Sequence, residues 1–476
     1  MNTEIVNPNV GNFVKSLRDI GYTFEIAVAD VLDNSITAYS SNVKIYTVAE
    51  PKLIFGMLDD GIGMSHKELI EAMRLATKDP GVEREKNDLG RFGLGLKTAS
   101  FSQCKKLTVI SKKDGIISLA QWDLDYLTIQ NQWLLKIPSI NTIKNMPLIE
   151  DLEKQEHGTL VIWEHLDRYE KDSFSETIDK VRTHLSLVFH RYLEGAVKGR
   201  KLKVIINNYE ISALNPFNVN NPATQELGSE KVKCFGHTIM VKPFILPHHS
   251  KVTQQEYGHY ATEEGYTKSQ GFYLYRENRL LIYGTWWGLH KTKDAHKLVR
   301  IMIDISNDQD YFWGIDIKKS TANPCQNIKS DLKRIINQIT EKGSRPFTGR
   351  ARKIGDKITT RFWKMIPYND GIRFALNEKH PILDKLITEL SVKQNGLLKV
   401  YLNGLQSYLP LDAIQSQLQE NPHKVKQEDD LSDEELVLLI RKIRASGVDD
   451  LYIEELLKTE LFKNRRELFE DEYKHE

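Results

Sequence analysis

The chain has 476 residues, enough for about three domains, and its 40% hydrophobic and 28% charged residues are those of an ordinary soluble globular protein. A formal net charge of +1 gives no whole-chain field that would draw in nucleic acid or a membrane surface, and no apolar stretch approaches the ~20 residues of a spanning helix. Cys104, Cys234 and Cys325 are widely spaced and odd in number, which predicts a reducing compartment with neither a disulfide frame nor a zinc site; with no signal-peptide pattern at the start, the expected location is the cytoplasm.

Residues 13–20 read as a short helix ended by Gly21. Residues 24–39 read as a long, mostly apolar helix carrying Asp30, Asp33 and Asn34 at i, i+3 and i+4, hence on one face. Two carboxylates on such a face repel each other and lose hydration on burial, an objection that a bound cation removes. The stretch therefore points to the magnesium- and water-handling helix of a nucleotide hydrolase. Residues 43–48 and 53–58 read as strands, followed by the sharp turn Asp59-Asp60-Gly61-Ile62-Gly63. Ser65 and Glu68 form a capping-box pattern opening a helix to about residue 75. Residues 77–88 are polar and charged around Pro80-Gly81, the composition of a mobile surface loop. A glycine turn at 90–95 leads into a helix to about 102, and strands at 107–111, 116–122 and 159–163 follow. The order predicts an α+β chain whose N-terminal part is an α/β sandwich, a mixed sheet with its helices on one face.

Two glycine-rich segments add chemistry to this frame. A strand ends in a carboxylate, Asp59, and Gly61 and Gly63 let backbone approach a flat ligand. The carboxylate can accept a hydrogen bond from an exocyclic amine such as that of adenine, and Met64 can cover the ring. A plain Asp/Gly turn is the other reading of the same residues. Downstream, Gly90, Gly93 and Gly95 precede a helix that carries Lys97 in its first turns. Free backbone N–H groups at a helix start form an anion site that glycine lets phosphate approach, and Lys97 adds a positive charge. The spacing is neither that of the P-loop nor that of the dinucleotide fingerprint.

Taken in order, the polar helix face, Asp-x-Gly-x-Gly, Gly-x-Phe-Gly-x-Gly-x-Lys and a later Gly158-Thr159 resemble the GHKL ATPase superfamily. Its members include the gyrase B subunit, MutL, the ninety-kilodalton heat-shock chaperone, histidine kinases and MORC ATPases. The resemblance implies a Bergerat-type fold with ATP and Mg2+ as cofactors. Asn34 then corresponds to the magnesium ligand beside the triphosphate, and Asp33 to a residue that orients Asn34 or a water. Asp59 corresponds to the reader of the adenine amino group, in a pocket with Gly61, Gly63, Met64 and Thr159. Residues 77–95 correspond to the ATP lid, with Gly90, Arg91, Phe92, Gly93, Leu94, Gly95 and Leu96 at its phosphate-closing turn and Lys97 as a phosphate contact. Asp30 falls where hydrolysing members carry a glutamate that activates water. It is one methylene shorter, and a base must sit within hydrogen-bond reach of its water. Two readings stay open for it: catalytic base, or a carboxylate that only organises magnesium and water.

A boundary near residues 167–172 gives an ATP domain over 1–170 and a second α/β domain over 171–344, with strands at 202–206, 271–275, 280–283 and 298–305 and a closing helix at 327–339. Gly271-x-Tyr273-x-Tyr275-Arg276-x-x-Arg279-Leu280, then Asp316-x-Lys318-Lys319-Ser320, resembles the S5-like transducer of bacterial MORC-like proteins. There a lysine reaches the terminal phosphate: Lys319, with Lys318 as the alternative, since a strand points the two to opposite faces. Arg276 and Arg279, at a hairpin turn, read as solvated. Residues 345–361 form a basic connector, either simply solvated or bound to a phosphate backbone. Residues 362–476 read as mostly helical and too charged for a large core, a contact for a partner protein or a second copy. The resemblance implies an ATP-dependent homodimer strapped by the segment before Phe24, clamping DNA or a DNA-associated partner, in a bacterial restriction or phage-defence setting. The other reading is a chaperone-like remodelling or scaffold protein with ATP as a slow switch.

Overall fold

A computed structural model describes residues 3–4, 8–75, 89, 95–261, 265–316, 318–348, 359–368, 371–420, 423–425, 431–445, 447–462 and 465. It divides into two compact units, Met1–Lys251 with Gln255–Ser344, and Val252–Gln254 with Arg345–Glu476.

The first unit opens with α1 (Val10–Arg18) and α2 (Phe24–Thr37), then β1 (Asn42–Val48), β2 (Ile54–Asp59), α3 (His66–Met73) and α4 (Gly95–Gln103). β3 (Lys106–Lys113), β4 (Ile116–Asp123), α5 (Leu124–Gln130), α6 (Ile149–Lys154), β5 (Gly158–Glu164), α7 (Phe174–Val188) and α8 (His190–Glu194) follow. β6 (Lys203–Ile206) and β7 (Tyr209–Glu210) complete a seven-stranded sheet ordered β4-β3-β5-β2-β1-β6-β7. Every pairing is antiparallel except β1 with β6. The mixed sheet expected from sequence is present, but the strand at 202–206, read as part of the second domain, is the parallel partner of β1, between it and β7. Its apolar Val204 and Ile206 fit the first core, a pairing no local pattern announces.

Strand alternation sorts the side chains. Phe55 and Met57 on β2, Val161 and Trp163 on β5, and Leu107 and Val109 on β3 face the helices. Leu58, Leu160, Ile162 and Ile110 face the other way, where Ile143, Ile149 and Leu152 cover them. α2 is buried almost all round because it lies under α4 and α7 on the sheet. Its first residue, Phe24, meets Phe55, Trp163, Tyr169 and Phe174 edge-on with ring centroids 5.1–5.6 Å apart. Ser65 and Glu68 form the expected capping box on α3.

The second sheet is built from β8 (Gln225–Glu226), β9 (Glu230–Cys234), β10 (His237–Ile245), β11 (Gly271–Arg276), β12 (Arg279–Thr285) and β13 (Val299–Ile305), with short helices α9 (Gln254–Ala261) and α10 (Gly265–Lys268) between β10 and β11 and α11 (Asp310–Trp313) after β13. Its order is β12-β11-β13-β10-β8, with β9 on β10. α12 (Gln326–Thr348) packs Ile328, Leu332, Ile335, Ile336 and Ile339 on one face, the helical spacing visible in the sequence. The opposite face, with Tyr273 and Tyr275, packs against Leu187 of α7. The β11–β12 turn is Glu277-Asn278, both left-handed at φ 46° and 68°, which holds the hairpin tight.

The second unit is not helical from its start. A hairpin of β14 (Trp363–Tyr368) and β15 (Gly371–Leu376) precedes α13 (Pro381–Glu389), α14 (Val392–Ser407), α15 (Leu411–Glu420), α16 (Asp433–Ala445) and α17 (Asp450–Leu457). Aromatic and β-branched residues at 362–376 favour strand over helix. The core is small, as the charge content predicts: Leu436, Ile440, Leu456 and Phe462.

Phe24→Ala empties the centre of the aromatic cluster under α2 and should cost about 3–5 kcal/mol. Urea denaturation followed by tryptophan fluorescence measures it; a loss below about 1 kcal/mol would mean the cluster does not anchor the helix.

Candidate functional site

The strand ends and α2 build one end of the site. Asp59, Thr159 and Ser111 are register neighbours on β2, β5 and β3, on the helix-facing side that alternation assigns them. Asp59 is buried and accepts hydrogen bonds from Ser35 Oγ (2.8 Å), Gly61 N (2.9 Å) and Thr159 N (3.3 Å). Ser111 Oγ pairs with Thr159 Oγ1 at 2.8 Å and accepts from Met64 N at 2.8 Å. Glycine is required at two places. At Gly63 (φ 65°) a Cβ would stand 2.0 Å from the Lys112 carbonyl oxygen, and at Gly158 (φ 150°) it would stand 2.3 Å from that of Asp59. At Gly61 a Cβ would meet Ala38 Cβ at 2.8 Å. Burial pushes the Asp59 carboxyl up to about 6, against the pull of Ser35, Gly61 and Thr159.

The other end lies back along α2. From Ser35 to Asp30 the helix rises about 7.5 Å. Asp30 and Asp33 are each only 2% exposed, whereas Asn34 is exposed, donating its Nδ2 to the Asp30 carbonyl at 3.1 Å. Asn34 Oδ1 makes no hydrogen bond among the described residues. The carboxylates meet protein cations. Lys319 Nζ lies 3.2 Å from Asp30 Oδ1 and 2.5 Å from Asp33 Oδ2. Arg279 places Nη2 3.3 Å from Asp30 Oδ1 and Nε 2.8 Å from Asp33 Oδ1. Tyr22 donates its hydroxyl to Asp30 Oδ2 at 3.0 Å. Burial pushes the Asp33 carboxyl up, and Arg279 and Lys319 oppose it. Burial, then the Asp30 charge, raises the Tyr22 phenol, so it stays a donor.

Three expectations change here. The cation that makes two buried carboxylates tolerable need not be a metal, because Lys319 and Arg279 supply the charge. Among the described residues no cluster of three His, Cys, Asp or Glu side chains could hold a metal alone. Arg276 and Arg279 are not solvated: they are 2% and 3% exposed, and Arg276 forks onto Asp310 (2.6 and 2.8 Å) while donating to the Leu89 carbonyl (3.2 Å). Lys319 is in a turn rather than a strand. The turn closes on Asp316, which accepts from Ser320 N, Ser320 Oγ and Thr321 N, and Lys319 itself takes a left-handed φ of 55°. That turn, not strand alternation, separates the two lysines: Lys319 is buried and Lys318 donates to the Gly21 carbonyl at 3.4 Å.

Gly95 opens α4, and a Cβ there would come within 4.0 Å of Asp30 Oδ2, so the helix N-terminus faces this end of the site. Leu96 is half-buried against the core, and Lys97 is buried with Nζ 3.0 Å from the Ala72 carbonyl. Gly90, Arg91, Phe92, Gly93 and Leu94, with most of the lid, lie outside the described residues. The sequence gives no sign of Arg279 or Tyr22: one resembles any turn arginine, and the other precedes the helix without a motif.

A buried strand-end carboxylate, a helix-borne Asp/Asn face and a glycine-led helix N-terminus meet at one site, as in a nucleotide-binding domain. Residues 22–159 match the family model described as histidine kinase-, DNA gyrase B-, and HSP90-like ATPase, a similarity that supports a GHKL-type ATPase fold over that stretch. Part of the chain is similar to MORC ATPases. It is 29% identical over 108 residues to "ATPase morc-1" of Caenorhabditis elegans and 24% identical over 145 residues to "ATPase MORC2B" of Mus musculus. These matches take in 22% and 29% of this chain and only 12% and 14% of those relatives. Arg279 and Lys319 lie beyond the family match.

A carboxyl pushed up to about 6 when folded, against about 4 when unfolded, binds its proton more readily in the folded state. Folding stability from Asp59 should therefore fall as pH rises from about 4 to about 6 and stay lower above that. In Asp59→Asn this part of the profile should flatten, which urea denaturation across pH 4–8 would show; an unchanged slope would mean Asp59 is not the strained acid.

Proposed function

We propose that the protein binds and hydrolyses ATP with magnesium, using the cycle to drive a conformational clamp. The observation that carries the reading is Asp59, buried and held by Ser35, Gly61 and Thr159, with Ser35 about 7.5 Å along α2 from Asp30, which the α4 N-terminus faces. That spacing suits a nucleotide whose base meets Asp59 and whose phosphates meet α4. Asp59 accepts from the adenine amine, while Gly61, Gly63, Met64 and Thr159 shape the pocket. The exposed Asn34 Oδ1 fits a magnesium ligand, because this ion binds through few side chains and completes its shell with phosphate oxygens and water. The ion would supply charge neutralisation on the triphosphate. Asp30 acts as the base that takes the proton of the attacking water, and Lys319 leaves the carboxylates to meet the terminal phosphate. Gly90, Arg91, Phe92, Gly93, Leu94, Gly95, Leu96 and Lys97 form the phosphate end of the lid.

The partners in this reading are a second copy of the chain and DNA or a DNA-associated protein, in a bacterial restriction or phage-defence setting. Support for a protein partner comes from α14, where Leu397, Val400, Tyr401 and Leu405 are exposed at helical spacing. The basic run at 345–361 supports contact with a phosphate backbone. No helix among the described residues is long and apolar enough to cross a membrane.

One observation favours a slower protein that uses ATP as a switch. Both Asp30 oxygens are engaged, Oδ1 by Lys319 and Arg279 and Oδ2 by Tyr22, so an attacking water must compete with these partners for the carboxylate. ATP turnover measured with and without duplex DNA separates the readings. As a clamp enzyme, the protein should be stimulated by DNA, Asp30→Asn should cut turnover by about 10²–10⁴-fold while keeping nucleotide binding, and Asn34→Ala should lose magnesium-dependent binding. Tight ATP binding with turnover insensitive to Asp30→Ala would favour the switch. Intact binding and turnover in Asn34→Ala would sink the site assignment.

A further inference from the structure

The two cations on the α2 carboxylates are unlike. Lys319 sits in a turn and carries its charge on a flexible stem, whereas Arg279 opens β12 with a rigid, permanently charged fork. Asp30, Asp33, Lys319 and Arg279 sum to zero charge. His184 adds none, because burial and the Arg279 charge push it down to about 3. When Lys319 departs for a terminal phosphate, two carboxylates remain that are each 2% exposed. A buried charge left without its partner is strongly destabilising. Among the described residues Arg279 is then the one cation in ion-pair range of both. The present arrangement also leaves something unmade. Arg279 Nε and Asp33 Oδ1 stand 2.8 Å apart but misaligned, each buried and without a hydrogen-bond partner among the described residues. A rotation of the Asp33 carboxylate, free once Lys319 has gone, completes that bond.

We propose that Arg279 is a positioning residue that takes over Asp30 and Asp33 when Lys319 moves to the terminal phosphate, so that this hairpin arginine sets how easily the lysine is released. The inference rests on the ATP reading above. It goes beyond it by making the second sheet contribute two cations with different duties, one that moves and one that stays.

The charge count gives the test. Binding of a non-hydrolysable ATP analogue with magnesium is measured by calorimetry in wild type, Arg279→Gln, Asp33→Asn, the double variant and Arg279→Lys, with thermal midpoints recorded without nucleotide. Arg279→Gln leaves two carboxylates on Lys319 alone, so the lysine is held and analogue affinity falls by about tenfold or more. The double variant restores the wild-type charge both before and after Lys319 moves, so affinity recovers to within about threefold. Asp33→Asn alone leaves Lys319 less firmly held, so its affinity stays well above that of Arg279→Gln, and Arg279→Lys recovers only in part, because a point charge cannot span both carboxylates. Additive losses in the double variant, or a loss that merely follows the thermal midpoint, would make Arg279 a structural or nucleotide-contacting residue and overturn the proposal, as would unchanged binding in Arg279→Gln. Absence of analogue binding in wild type would instead remove the ATP reading itself.

Discussion

Two carboxylates on one buried helix face, Asp30 and Asp33, can be accommodated only if positive charge is brought to them. The chain brings it from 249 and 289 residues beyond Asp30 in sequence, on Arg279 and Lys319. This pairing ties α2 of the first sheet to the hairpin and the Lys319 turn of the second, and it places a lysine beside the candidate base. Beside it the two sheets share the apolar contact of α7 with the tyrosine face of β11 and the α8 bonds of His190 to Tyr275, Arg191 to Asp304 and Tyr192 to the Glu277 carbonyl. Apolar contact is non-directional and could tolerate sliding, whereas a four-charge cluster with named atom pairs has one register.

The same cluster explains why the site divides in two. The Asp59 end is built from neutral donors, a hydroxyl and two backbone N–H groups, which hold a single carboxylate in fixed geometry. That end suits recognition of a flat polar edge and has no need to move. The Asp30 end is held by opposite charges whose arrangement changes when one of them is drawn elsewhere. A nucleotide spanning both would be read at the rigid end and would act on the adjustable end, which is how binding energy becomes motion.

Much of the candidate site was legible because its signals are local. The strand-ending Asp59, the crowded Gly61 and Gly63, the Asp/Asn face of α2 and the glycine before Lys97 each follow from spacing, and strand alternation alone puts Thr159 and Ser111 beside Asp59. The Ser65–Glu68 cap and the isoleucine stripe of α12 were legible for the same reason. Arg279, Arg276 and Tyr22 were not. An arginine beside a polar turn carries no mark of whether a carboxylate waits for it across the fold, and solvation is its default. The hairpin of β14 and β15 was missed because the helical stretches around it dominate the pattern of that region.

By itself, the sequence determined most of the elements of the first sheet, the resemblance of the N-terminal part to an ATPase family and the candidate residues of local motifs, since all of these depend on periodicity and short-range spacing. Only the tertiary structure decided which charges meet. It placed the 203–206 strand in the first sheet, turned Lys319 inward and Lys318 outward, and set Arg279 against Asp33. The reason is physical: a backbone pattern is fixed by neighbours along the chain, but the partner of a buried charge is fixed by whatever the completed fold brings within a few ångströms, where desolvation makes that partner indispensable.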